Sequence, residues 1–177
     1  QPLYINAFNI LPDSVSLTWT VFGTDTSWLV YLTPIGVLPD TSHLTLAAND
    51  TITFSGLSSN TYYDFYVQGI CSSNDTSSLT GPFTFVTSCL PISSPYFQNF
   101  DNSTAPYFDQ CWSSLNNTGV SFANVQANDN SFNPIRSLPN SIQFYNSSGT
   151  SGELFFISPM ISDLDSTKRI RFHLNSN

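Results

Sequence analysis

Two histidines, twelve acids and three cysteines are the residues of this 177-residue chain with chemistry to offer. His43 and His173 lie far apart, and neither has a His or Cys neighbour at metal-ligand spacing. Gly-x-Ser-x-Gly, His-Glu-x-x-His and Gly-rich phosphate loops are absent from the sequence. Carboxylates do pair, as Asp163 with Asp165 and as Asp101 with Asp109. A glycosidase pair needs a rigid cleft that raises one pKa, whereas Asp163-Leu164-Asp165 reads as a solvated turn. No enzyme is expected. Calcium is a better use of such acids, since it gathers six to eight oxygens from carboxylates and carbonyls.

Composition narrows the field. Four Lys+Arg against twelve Asp+Glu give a net charge of −8 and a pI of about 4.1. Three of the cations, Lys168, Arg169 and Arg171, crowd one end, so nucleic acid is excluded as a partner. Only 9% of residues are charged, yet 40% are hydrophobic and 15% aromatic, enough for a packed core. Solubility then falls to Ser, Thr and Asn, about a third of the chain. Such a surface is typical of extracellular proteins. No apolar run reaches membrane-spanning length, so no membrane insertion is expected. Gln1-Pro2-Leu3 does not open a signal peptide; a secreted protein would carry its signal upstream.

The elements that must position these residues read as strands, because Glu and Lys, two of the strong helix formers, are scarce. Ser14–Thr20 alternates strictly, with Val15, Leu17 and Trp19 on one face. Strands are also predicted at 4–8, 28–32, 44–46, 51–54, 62–67 and 83–87, with turn residues between them. Seven short strands of this kind indicate a β-sandwich. Trp19, Trp28, Tyr63, Phe65 and Val67 are expected in its core. Trp28, just after a turn, has an outer-face alternative as a platform for a sugar ring.

Trp19 together with Leu57-Ser-Ser-Asn-Thr-Tyr-Tyr63-Asp-Phe65-Tyr-Val67 resembles a fibronectin type III domain over residues 1–88. The resemblance implies a tyrosine corner at Tyr63, six residues after Leu57. Residues 89–177 are similar to the opening of the MAM-like and cleaved-adhesin jelly rolls. That likeness rests on Cys89-Leu-Pro91, Tyr96-Phe-Gln-Asn-Phe100-Asp101, Cys111-Trp112, and strand-like runs at 141–145, 154–161 and 170–174. Such domains usually run longer, so an incomplete jelly roll, and a chain that is part of a longer polypeptide, is expected. The fold class is thus all-β, two sandwiches in series.

The resemblance implies three sets of site residues. Cys89 and Cys111 match the family's first disulfide, a closure of about 3 kcal/mol in the chain-entropy model. Asp101, the acid after the opening aromatics, matches a calcium ligand. Cys71 and Cys89 fall at opposite poles of the first sandwich, too far apart to bond. A Cys just upstream of Gln1 would be well placed for Cys71, and a free thiol is the alternative. The order of modules resembles large surface proteins of gliding Bacteroidota exported by type IX secretion. Their O-glycosylation pattern fits Asp13-Ser14-Val15, Asp50-Thr51-Ile52 and Asp165-Ser166-Thr167, giving Ser14, Thr51 and Ser166 as acceptors. A eukaryotic source would instead place N-glycans at Asn49, Asn74, Asn102, Asn116 and Asn146.

Together these imply a non-catalytic segment of a secreted, cell-surface adhesin or filament. Its partners would be other copies or modules of the same protein, with carbohydrate or another surface ligand. The alternatives are an accessory module of a secreted hydrolase and a eukaryotic receptor fragment.

Overall fold

The computed structural model describes residues 1–23, 25–72, 75–119, 123–128, 140–146 and 152–173. The chain divides into two compact units, Gln1–Leu90 and Pro91–Asn177. The protein is all-β, and the one helical turn among the described residues is a 3-10 turn at Thr41–His43.

In the first unit, the strands are β1 Leu3–Phe8, β2 Ser14–Thr20, β3 Trp28–Pro34, β4 Leu44–Ala47, β5 Thr51–Ser55, β6 Tyr62–Ser72, β7 Asp75–Thr76 and β8 Thr80–Val86. One sheet runs β1-β2-β5. The other runs β4-β3-β6, with β8 and the short β7 both pairing β6. All these pairings are antiparallel. This strand order makes the unit a fibronectin type III-like sandwich.

Alternation on β2 explains the core directly. Val15 and Leu17 are fully buried and Trp19 is 2% exposed, facing Val30, Phe65 and Val67 of the other sheet's inner face. Trp28 joins them at 5% exposure, edge-on to Trp19 with ring centroids 5.7 Å apart. It is therefore a core residue, and the sugar-platform alternative for it is excluded. Tyr63 is half-buried, stacked on Phe85, and its hydroxyl accepts a hydrogen bond from the Ser58 N–H at 3.0 Å.

A buried acid sits on the opposite face of that second sheet. Asp64, 5% exposed, accepts from the Gly36 N–H at 3.0 Å and from the Thr84 hydroxyl at 2.6 Å. The carboxylate thus ties the turn after β3 to β6 and β8. Gly36 has φ +77°, a backbone a side chain would strain.

The second unit contains two antiparallel pairs among the described residues. β9 Ser113–Asn116 pairs β12 Leu154–Ile157, and β10 Ala123–Asn128 pairs β11 Ser141–Asn146. Its entry segment is held by its later part. Ile92 bridges Ile161 in parallel, the Ile92 N–H donates to the Met160 carbonyl, and the Ser162 N–H donates to the Ile92 carbonyl, both at 2.8 Å. The expected strand at 170–174 does not form over its described residues 170–173, which are irregular, and residue 174 lies outside the described residues. Ile170 and Phe172 are 68% and 72% exposed. The strand-like run at 154–161 ends as a strand at Ile157, ahead of Ser158-Pro159.

Candidate functional site

The candidate site is the turn that carries Asp101, and an aromatic cluster beneath it explains its shape. Phe100 stands edge-on to Trp112 at 5.0 Å and to Phe156 at 5.5 Å. Trp112 stacks on Phe156 at 4.7 Å, and Phe108 lies 4.9 Å from the same ring. Tyr96 covers Trp112, and its hydroxyl accepts from the Trp112 indole N–H at 3.3 Å. With its ring held there, Phe100 adopts φ +61°. The chain turns outward, and the Ser103 N–H closes onto the Phe100 carbonyl at 3.0 Å.

Side-chain amides then engage the acids. The Asn99 amide donates to Asp101 Oδ2, and Asn99 Oδ1 accepts from the Asp101 N–H at 3.2 Å. Asp109 accepts from Gln98 Nε2 at 2.6 Å and from the Ser103 hydroxyl at 2.5 Å. Gln98 Oε1 accepts from the Phe100 N–H at 3.0 Å. One oxygen is left over: Asp101 Oδ1 is buried and has no hydrogen-bond partner. A carboxylate oxygen buried without a donor is costly. That orphan is the observation here that fits a cation. Among the described residues no three His, Cys, Asp or Glu side chains cluster as a metal site. Further ligands could include carbonyl, amide, hydroxyl or water oxygens, all of which calcium accepts.

The other expected residues fall elsewhere. Cys89 and Cys111 are disulfide-bonded. Cys71 is an exposed free thiol near the end of β6. Partial burial, then the charges of Asp25 and Asp75, push its pKa up, which makes it a poor nucleophile. Thr51 and Ser166 are exposed, and Ser14 is half-exposed with its hydroxyl donating to Asp13 at 3.2 Å. Ser14 pairs with Ser55, and Thr18 with Thr51, so the first two acceptors sit at opposite ends of one β2–β5 ladder. Of the N-glycan positions, Asn74 lies outside the described residues.

His43 makes no catalytic relay. Its Nδ1 lies 2.9 Å from Asp40 Oδ1 and 3.2 Å from the Ser42 hydroxyl, so acid and alcohol approach the same ring nitrogen. Asp40 is instead a cap: it accepts from the Ser42 hydroxyl and N–H, which lower its pKa, with His43 adding to this. Asp165 is held down the same way by the Thr167 hydroxyl and N–H. Asp163 is held down by the Ser94 hydroxyl and N–H at 2.5 and 2.8 Å. The Asp163/Asp165 pair therefore works as turn clasps.

No family model matches this chain, and no curated protein matches it. Among solved structures, the fn3 domain of human collagen alpha-1(XX) chain is similar at 22% identity and a TM-score of 0.43, covering 54% of this chain and 90% of that one. The FN5 domain of Drosophila Lar is similar at 13% identity and a TM-score of 0.40, covering 49% and 94%. The FN1–FN3 domains of chicken CNTN1 are similar at 11% identity and a TM-score of 0.42, covering 49% and 30%. These likenesses say nothing of ligand or role, and the fold of the first unit is read from its own strand order.

Sequence reading missed Gln98, Asn99 and Asn140. Gln98 and Asn99 lie inside the motif that flagged Asp101 and had no signal of their own. Asn140 reaches the site from 40 residues away.

Proposed function

We propose that this chain is a non-catalytic spacer and binding segment of a secreted surface adhesin or filament. It pairs a fibronectin type III-like module with the opening of a MAM-like jelly roll. The observation that carries this reading is where the acids point. Asp40, Asp64, Asp163 and Asp165 each hold a backbone N–H together with a hydroxyl, and Asp109 holds a hydroxyl and an amide. These carboxylates brace turns and strands, each within its own unit.

Two features support a secreted origin. The Cys89–Cys111 disulfide suits an oxidising compartment. The outer face of β2 and β5 presents Ser14, Thr18, Thr51, Thr53 and Ser55, with the buried Ser16 paired to Thr53 at 3.0 Å, a neutral hydroxyl surface in place of charge. O-linked sugars at Ser14, Thr51 and Ser166 would add hydration and shield the β5 edge. At the second module, Asp101 Oδ1 would hold calcium, whose part is to tie the loop to the sheets. Export by the type IX route in gliding Bacteroidota, and copies of the same protein or surface carbohydrate as partners, complete the reading.

The test uses the purified chain with intact cells and with peptide and glycan substrates. Saturable binding to cell surfaces without turnover is expected. Hydrolysis abolished by a single Asp→Asn substitution would overturn the proposal.

A further inference from the structure

We infer that Asn140 is a positioning residue for the calcium ligand Asp101, an inference that rests on the calcium reading above. Asn140 is 5% exposed and immediately precedes β11. Its Nδ2 donates to the Phe100 carbonyl at 3.1 Å and to the Ser103 carbonyl at 2.6 Å. Those two carbonyls stand on either side of Asp101, so a single amide clamps the turn from within. Ser103 is itself buried, and its hydroxyl reaches Asp109, the second acid of the loop. The clamp therefore fixes both acids relative to β11.

The chemistry favours an amide at this position. Two carbonyl oxygens converging on one point repel each other, and an NH₂ group offers each a proton while carrying no charge. A carboxylate at 140 would face both carbonyls without a donor. An alanine would release the turn and leave the Ser103 carbonyl without this donor, while the Phe100 carbonyl would keep only the Ser103 N–H. In either case Asp101 Oδ1 is no longer held where the polypeptide now holds it. Groups that orient a metal ligand without touching the metal typically govern its affinity by 10–100-fold.

The experiment titrates calcium chloride alone into the whole chain by isothermal calorimetry, well below the melting temperature, with far-UV circular dichroism to confirm folding. Melting in EDTA and in calcium is recorded alongside. Wild type is expected to bind, and Asp101→Asn to lose binding. Asn140→Ala is expected to weaken affinity by about 10–100-fold while still folded. Asn140→Ser, which keeps a short donor, is expected to fall between them and serves if the alanine variant does not fold. Calcium affinity in both Asn140 variants within about twofold of wild type, with Asp101→Asn dead, overturns the role of Asn140 and leaves the calcium reading standing. No binding by wild type refutes the calcium reading and the inference with it.

Discussion

Thr87→Val tests how the end of the first sandwich is closed. Thr87 is 1% exposed. Its hydroxyl donates to the Ser58 carbonyl at 2.6 Å and accepts from the Thr61 N–H at 3.0 Å. Valine fills the same volume but meets neither group. Each partner left unmet costs about 1–3 kcal/mol where it is cut off from water. The turn can relax toward solvent on one side, so a loss of about 2–4 kcal/mol is expected. Tyr63→Phe removes the hydroxyl that accepts from the Ser58 N–H at 3.0 Å, and that contact is exposed. Its loss is expected near 1 kcal/mol. The buried threonine thus pins this turn more firmly than the tyrosine that marks it in the sequence. Urea unfolding followed by tryptophan emission reads both variants, since Trp19 and Trp28 lie in this core. Thr87→Ser keeps the hydroxyl and loses a methyl, at about 1 kcal/mol. If Thr87→Val is within about 0.5 kcal/mol of wild type, or Thr87→Ser costs as much as Thr87→Val, the hydroxyl is not the pin and the reasoning fails.

Three further outcomes are expected. Phe65→Ala, at a fully buried position beside Trp19 and Phe83, should cost about 3–5 kcal/mol in the same assay. Asp163, its pKa lowered by the Ser94 hydroxyl and N–H, contributes stability that is present above the ordinary carboxylate pKa and lost as pH falls through the lowered folded value. The protection of the Ser94 amide, its exchange rate set against the intrinsic rate at each pH, should therefore fall on acidification below about pH 4 in wild type, and should already be low and insensitive to pH there in Asp163→Asn. Alkylation of the native chain should modify Cys71 alone, slowly at neutral pH and faster above the ordinary thiol range, with Cys89 and Cys111 reacting only after reduction.

Strict alternation made the first sandwich legible, because the inward positions of β2 and β6 are written in Val15-x-Leu17-x-Trp19 and Tyr63-x-Phe65-x-Val67. The tyrosine corner was legible for a different reason, its local Leu57-to-Tyr63 spacing. β9 left no such mark, whereas β10 carries the alternation in Ala123-x-Val125-x-Ala127 and was passed over. Ser113-Ser114-Leu115-Asn116 is exposed throughout, so pairing with β12 and not burial makes it a strand. Ile170-Arg171-Phe172 carries alternation without a partner, and pattern alone does not form a ladder. At the site, Asp101 was legible from its motif. Its surroundings were not, because Asn140 arrives through tertiary structure and an Asn in a chain rich in them carries no local signal. Asp64 escaped for a related reason: a carboxylate on an outward strand position reads as solvated until the turn after β3 folds over it.

The central claim, a disulfide-braced module displayed outside the cell, is tested most directly by surface labelling of the native protein combined with thiol trapping. A membrane-impermeant amine reagent is applied to intact cells, followed by alkylation before and after reduction and peptide mass analysis. Lys168, about a third exposed, is the one lysine side chain available to the reagent. The account predicts labelling from outside the cell, with Cys89 and Cys111 linked to each other and protected until reduction. Protein found only in the cytosol with both of these thiols open to alkylation would contradict it.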